Sequence, residues 1–292
     1  MAQVTGTYSQ YDAKGLREDL SDLIYSISPT DTPFMSGIGK EQATAVLHEW
    51  QTDALAGASG TNAQIEGDEI SFAAPTATTR VNNRTQISRK SVIVSGTLES
   101  VSKAGRNNEL AYQISKASKE LKRDMETSLT ANNSPVVGDD STARELAGLA
   151  GWIQTNVDAG AGGANGQVSG ADVPGTARTD GTQRAFTESQ LKNVIKKCWD
   201  EGGDPSMVML GSFNKQVLSG FTGGSTRFDP AENKRLVAAV DVYESDFGAM
   251  TVVPNRFSRS RDVFVLQPDM FATAFLRDFS LMNLAKTGDA EK

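Results

Sequence analysis

Residues 80–96, RVNNRTQISRKSVIVSG, are made of strand-favouring types but offer a core no face to hold. Under the two-residue period of a strand, Arg80, Asn82, Arg84, Gln86, Ser88 and Lys90 share one side. Val81, Asn83, Thr85, Ile87, Arg89 and Ser91 share the other, and among all twelve only Val81 and Ile87 are apolar. Backbone donors and acceptors need partners and apolar side chains need cover, so this ribbon must lie against a second segment or a second molecule.

The residues before it sharpen the constraint. TAVLHEWQTDAL, 44–55, reads as a strand, GASGTNAQIEGDE, 57–69, as a turn-rich tip, and the ribbon leads back. Together they predict a long two-stranded excursion, and an isolated hairpin of this kind buries too little to be stable in water. Charge reverses along it: residues 1–79 carry eleven acids against Lys14, Arg17 and Lys40, whereas 80–106 carry six bases against Glu99. The chain as a whole is acidic, with a formal net charge of −7.

Outside the excursion the patterns are helical, then mixed. LREDLSDLIYSIS, 16–28, gathers Leu16, Leu20, Leu23, Ile24 and Ile27 on one helical face and is stopped by Pro29. SPTDTPFMSGIGK, 28–40, predicts an extended connector without regular structure, anchored by Phe34 and Ile38. Residues 107–131 predict the longest helix, with the narrow apolar seam Leu110, Ile114, Ala117, Leu121, Met125 and Leu129, so it should lie across a surface. The Gly/Ala-rich stretch 159–184 lacks apolar anchors and reads as a mobile loop. From Phe186 on, a helix with Thr187 and Gln190 as a capping box, a short strand MVML (207–210), a helix from Ser212 and two strand pairs predict a compact α+β layer. One pair turns at Asp246-Phe247-Gly248 and the other around Pro268-Asp269.

No catalytic constellation emerges. His48 and Glu49 are strand neighbours and point to opposite faces, and a chain with one histidine and one cysteine offers no nitrogen/sulfur metal cluster. Cys198 shares a helical face with Leu191, Val194, Ile195 and Trp199, as a small buried hydrophobe would. Asp241, Glu244 and Asp246 belong to a solvated hairpin, and GAGGANG, 160–166, has Asn165 where a dinucleotide fingerprint needs its third glycine. The apolar runs are too short to span a bilayer and MAQVTGTYSQ lacks the features of a secretory signal, which predicts a protein made and used in the cytosol. The composition, 38% hydrophobic and 22% charged over 292 residues, allows a sizeable core.

Five segments in order carry a resemblance: 16–40; the long helix with GLAGW at 148–152; TESQLKNVIKKCWDEGGDP at 187–205; VDVYESDFGAMTVVPNRF at 240–257; and VFVLQPDMFATAFLRDF at 263–279. Together they resemble the major capsid (major head) proteins of tailed bacteriophages, from about residue 15 to the end. The resemblance implies the α+β fold shared by tailed phages, herpesviruses and encapsulins. Its parts fall as an N-terminal arm (1–40), an extended β-hairpin loop (41–105), a peripheral domain with a long spine helix (106–150), an axial domain (151–262) and a return to the peripheral domain (263–292). The sequence departs from the family in one place, stopping at Lys292 where relatives continue after a stretch like LAKTGDAEK into another strand.

The implied function is structural and not enzymatic, with no cofactor and no metal: pentamers and hexamers forming an icosahedral shell around double-stranded DNA. The implied partners are further copies of the chain, scaffold, portal and decoration proteins, with no membrane; the location is the virion, assembled in the host cytoplasm. Two alternatives stay open, an encapsulin-like compartment with an enzyme cargo and a nucleic-acid-binding protein using the basic ribbon 80–106. Every copy carries both signs of charge, so a ring of copies sets the ribbon's Arg80, Arg84, Arg89 and Lys90 against a neighbour's acids. The expected acids are Glu18, Asp19 and Asp22 on the arm helix and Glu66, Asp68 and Glu69 near the loop tip.

Overall fold

The computed structural model describes residues 28–69, 72, 74–166, 175–221, 240–285 and 288–291. The helix expected over 16–28, with Glu18, Asp19 and Asp22, lies outside them apart from its last residue. The first elements are α1 (Pro33–Gly37), β1 (Gly39–Gln42), β2 (Leu47–Thr52), β3 (Thr79–Arg84), β4 (Val94–Ser95), α2 (Gly96–Ser100) and α3 (Glu109–Thr130). There follow α4 (Leu149–Trp152), α5 (Glu188–Asp200), β5 (Met207–Leu210), α6 (Ser212–Ser219), β6 (Val242–Ser245), β7 (Gly248–Pro254), β8 (Val263–Leu266), β9 (Ala272–Phe275) and β10 (Ala290–Glu291). The chain divides into two compact units, a larger one of Thr30–Arg89 and Glu120–Leu281 and a smaller one of Met1–Pro29, Lys90–Lys119 and Met282–Lys292.

The larger unit is organised by β5, whose four residues MVML are all buried. An unbroken apolar run of this length fits a strand covered on both faces, and alternation divides it. Met207 and Met209 join Phe34, Leu149, Ala150, Phe264 and Leu266 in one core; Val208 and Leu210 join Leu191, Ile195, Leu218, Met250 and Val252 in another. The sheet runs β6-β7-β5-β8, with β5 parallel to β7 and antiparallel to β8. Helices α5 and α6 supply the second core; α1, α4 and Leu129 of α3 supply the first. Helix α5 starts and stops where its sequence signals stand: the Gln190 side chain accepts the Thr187 backbone N–H at 3.0 Å, and Gly202 turns the chain out at φ +85°.

Two expectations fail locally. The connector 28–40 contains α1, a helical turn opened by Pro33, which presets φ for a first helical residue. Its local sequence offers no side-chain cap; the cap comes from Glu126, in α3, whose carboxylate accepts the backbone N–H groups of Phe34 and Met35 at 2.8 Å each. The second concerns the strands around Pro268-Asp269, which do not pair with each other. A 3-10 turn, Pro268–Met270, redirects the chain, and β9 pairs in parallel with β1, from Gly39↔Ala272 to Gln42↔Phe275.

In the described parts of the Gly/Ala-rich stretch, 159–166 and 175–184, the anchors are polar and the glycines permit close backbone contact. Asn132 holds Arg178 by two bonds, donating to its carbonyl at 2.7 Å and accepting its N–H at 2.9 Å. A Cβ on Gly160 would stand 2.1 Å from the carbonyl oxygen of Thr182. Gly160→Ala therefore forces these backbones apart, and we expect a loss of roughly 1–3 kcal/mol, read as a lower unfolding midpoint.

In the smaller unit, β4 pairs antiparallel with β10, and the Asp289 carboxylate accepts both the backbone N–H (3.0 Å) and the hydroxyl (2.8 Å) of Thr97. Asn108 caps α3 by accepting the N–H of Ala111 at 2.6 Å. Bonds from Gln113 and then Arg106 hold the Glu109 carboxyl below its ordinary range.

Along its 22 residues α3 inverts the usual pattern. Its buried residues are Glu109, Glu126 and Thr130, all polar, while the seam Leu110, Ile114, Ala117, Leu121, Met125 and Leu129 is only half-buried. Glu126 is 0% exposed and also accepts from the Asn255 side chain at 2.7 Å. No pattern of apolar spacing marks it, because a glutamate beside a seam reads as solvent-facing.

Candidate assembly surfaces

The ribbon's missing face is supplied first by its own chain. Strand β3 ends at Arg84, and it pairs with β2 from Thr52↔Thr79 to Leu47↔Arg84. Beyond Arg84, Thr85 still donates its N–H to the carbonyl of Val46 at 2.9 Å, and the ribbon then carries no strand until Val94, so it is not one uninterrupted edge. Amide side chains take the place of apolar contacts at its base. Asn83 donates to the carbonyl of Ala147 at 3.2 Å and accepts the N–H of Ala147 at 2.9 Å, as a strand neighbour's backbone would. Gln86 accepts the N–H of Leu146 at 3.3 Å, and Arg144 donates to the carbonyl of Thr85 at 2.9 Å. On the β2 side, Trp50 packs on Trp152 with ring centroids 5.3 Å apart, and His48 lies beside Trp50, as their shared strand face requires. Asn83→Ala removes both bonds and leaves Ala147 unpaired, an expected loss of about 1–2 kcal/mol in chemical denaturation.

The segment that receives the ribbon is itself shaped by Asp139. Val136 bridges to Glu145, and at the turn Asp139 accepts the Ser141 hydroxyl (2.8 Å) and the N–H groups of Ser141 and Thr142 (2.7 Å each). The Ser141 hydroxyl first, then these amides, hold its carboxyl at about 2, against an ordinary 3.8. A carboxyl whose folded value is depressed adds stability that is present above its unfolded value and lost as pH falls through the folded one. Hydrogen exchange should therefore show the Ser141 and Thr142 amides losing protection between about pH 4 and pH 2, a response absent in Asp139→Ala.

The named charges are distributed unevenly. Arg80 already has a partner in its own hairpin, Glu49, at 3.4 Å. Arg84 is half-buried and Arg89 and Lys90 are exposed; no carboxylate among the described residues lies within 4 Å of Arg84 or Arg89. Glu66, Asp68 and Glu69 are exposed at the tip, where Gly67 at φ +84° makes the turn. The structure does not bring these acids to the ribbon within one chain.

The feature that charge counting overlooked is apolar. From Asp53 to Thr78 every described residue is exposed and none is in a strand, yet this excursion carries Leu55, Ile65 and Phe72 at 99%, 81% and 93% exposure. After β9, Phe279 and Leu281 are exposed, as are Met282 and Leu284 in the smaller unit. The signal was in the sequence: three large apolar residues inside a turn-rich tip with nothing nearby to cover them.

Burial pushes the Cys198 thiol up, away from the reactive thiolate, and among the described residues no three His, Cys, Asp or Glu side chains cluster as a metal site. Among the same residues no helix is long and apolar enough to cross a membrane.

Residues 3–292 match the SU10 major capsid protein family. The major capsid protein of Escherichia phage Phieco32 is 28% identical over 317 residues, spanning 98% of this chain and 90% of that protein. The cyanophage A-1(L) capsid asymmetric unit is similar in fold, with a TM-score of 0.56 and 14% identity over 88% of this chain and 76% of that one. An α+β chain matched from residue 3 to residue 292 thus belongs to the SU10 major capsid protein family, a structural component of the tailed-phage virion and not an enzyme.

Proposed function

We propose that copies of this chain assemble as pentamers and hexamers into an icosahedral shell that encloses double-stranded DNA without reading its sequence. The observation that carries this reading is the loop tip, whose Leu55, Ile65 and Phe72 have no cover in their own subunit. A soluble chain keeps such residues when an adjoining molecule buries them. In this reading residues 1–40 are the arm, 41–105 the extended loop, 106–150 the peripheral domain with α3 as its spine, 151–262 the axial domain and 263–292 the return. A chain of net charge −7 repels packaged phosphates, which keeps the genome mobile. Scaffold, portal and decoration proteins complete the set of partners, and assembly takes place in the host cytoplasm.

Electron microscopy of the purified protein, with sedimentation across concentration, salt and scaffold conditions, tests the reading. Closed shells are the expected result, and a compact monomer under every condition refutes it. An enzyme found inside instead of DNA would identify a compartment of the encapsulin kind.

The charged residues add a clasp to the apolar contact. Arg80 is held by Glu49, so Arg84 and Arg89 are the cations best placed to meet Glu66, Asp68 and Glu69, or Glu18, Asp19 and Asp22, of a neighbour, with Lys90 alongside. Arg84→Glu should lower shell yield at matched concentration far more than it lowers the unfolding midpoint, and salt should weaken wild-type assembly. Equal losses of folding and assembly rule the clasp out.

A further inference from the structure

The excursion joins the rest of the larger unit at a corner. The chain leaves β1 at Gln42, bends at Ala45 and Val46 and enters β2 at Leu47. At the bend the Val46 carbonyl accepts both the N–H (2.9 Å) and the hydroxyl (3.2 Å) of Thr85, and further along β2 Trp50 rests on Trp152. Across this corner, facing back from β2 to β1, stands the chain's one histidine. His48 Nε2 lies 3.8 Å from Oε2 of Glu41, past hydrogen-bond reach, and its ring centroid is 5.8 Å from that of Trp50. The His48 side chain is 25% exposed and that of Glu41 61%, so the ring is hemmed in while the carboxylate is free to close the last ångström.

Histidine is the side chain that gains its charge between about pH 8 and pH 5. A charged ring attracts the Glu41 carboxylate and gains from the face of Trp50, and a neutral ring does neither to the same degree. We propose that His48 and Glu41 form a proton-operated latch across this corner, open while the ring is neutral and closed once it is charged, which fixes the angle at which the excursion leaves β1. The other charges nearby leave the latch free to work. Glu49, Arg80 and Arg84 lie on the opposite faces of β2 and β3, where Glu49 and Arg80 engage each other at 3.4 Å. Lys40 alternates away from Glu41 along β1, and Arg144 donates to the Thr85 carbonyl at 2.9 Å. Contacts that favour the charged form are present in acid and lost as pH rises, so the corner stiffens as pH falls. Closure shifts a population between two poses of one fold. The inference is independent of shell formation, since every residue in it belongs to one compact unit of one chain.

The test is hydrogen exchange of the full unassembled chain at about pH 7.5 and about pH 5.5, each rate divided by the intrinsic rate of an unfolded peptide at the same pH. The Thr85 amide, bonded at the corner to Val46, and its neighbours in β2 and β3 should exchange roughly two- to fivefold more slowly at the lower pH, the range expected of a partly exposed ion pair. Strand β5, buried away from the corner, serves as the reference and should not respond. His48→Gln and Glu41→Gln should each abolish the response, and high salt should reduce it in the wild type. Should His48→Gln fail to fold, Glu41→Gln, at a largely exposed position, decides alone. A wild type whose corner is indifferent to pH overturns the latch. So does a response retained in Glu41→Gln, which would assign it to another group, or an equal response in β5, which would make it global.

Discussion

Glu126→Ala is expected to lower the unfolding midpoint of the unassembled chain by on the order of 10 °C. The carboxylate is fully buried and meets three N–H groups, from Phe34, Met35 and the Asn255 side chain, at 2.7–2.8 Å. Removing it strands those donors in a dry interior at about 1–3 kcal/mol each, so roughly 3–5 kcal/mol is lost in all if Asn255 partly readjusts. Glu126→Gln keeps one acceptor oxygen but turns an amide NH2 toward a backbone N–H, and should fall between alanine and wild type. Differential scanning calorimetry of the three proteins is the measurement. An alanine variant melting within two or three degrees of wild type would mean that the hydrogen bonds to α1 contribute little.

The second large effect is on assembly alone. Leu55→Ser combined with Phe72→Ser should leave the subunit's unfolding within about 0.5 kcal/mol of wild type, because both side chains are exposed at 99% and 93% and touch no core. Interface anchors of this size commonly carry about 2 kcal/mol or more apiece. The critical concentration for shell formation should then rise by more than a hundredfold, followed by light scattering and micrograph counts. If the double variant assembles like wild type, the tip is not an inter-subunit anchor and the carrying observation for the shell loses its force.

Much of the larger unit was legible because its signals are local. The MVML run, the Thr187/Gln190 capping pair and the turn at Asp246-Phe247-Gly248 each state their conformation within a few residues, and each stands where the sequence placed it. What escaped depends on residues far apart in the chain. The α1 turn owes its cap to a carboxylate 92 positions away, and β9 chose β1 over the adjacent β8. The ribbon illustrates a third kind of miss. Its sequence named no partner for its amide side chains, whereas Asn83 and Gln86 act as substitute backbone for residues 146 and 147. Apolar periodicity is blind to such amide contacts, since the side chain that makes them carries no hydrophobic signature. The ribbon's arginines show the limit of charge counting: opposite sums in two segments are readable, but which charge meets which depends on register, and register sets Arg80 opposite Gln51, diagonally within 3.4 Å of Glu49.

The parallel ladder of β1 and β9 also has a mechanical meaning. The chain enters β1 at Gly39 and leaves β9 at Phe275, so the two continuing segments depart from opposite ends of the ladder. A pull applied between the segment before β1 and the segment after β9 therefore slides one strand along the other and does not peel them apart. Under that load the rungs from Gly39 to Ala43, including the N–H of Gly39 on the carbonyl of Phe271 at 3.0 Å and of Ala43 on that of Phe275 at 2.9 Å, are strained together. Rupture must break them nearly at once, which raises the barrier to forced unfolding above that of a hairpin opened one rung at a time. In a container stretched from within, this short splice would share the tension across its width where a zipper would fail at its end.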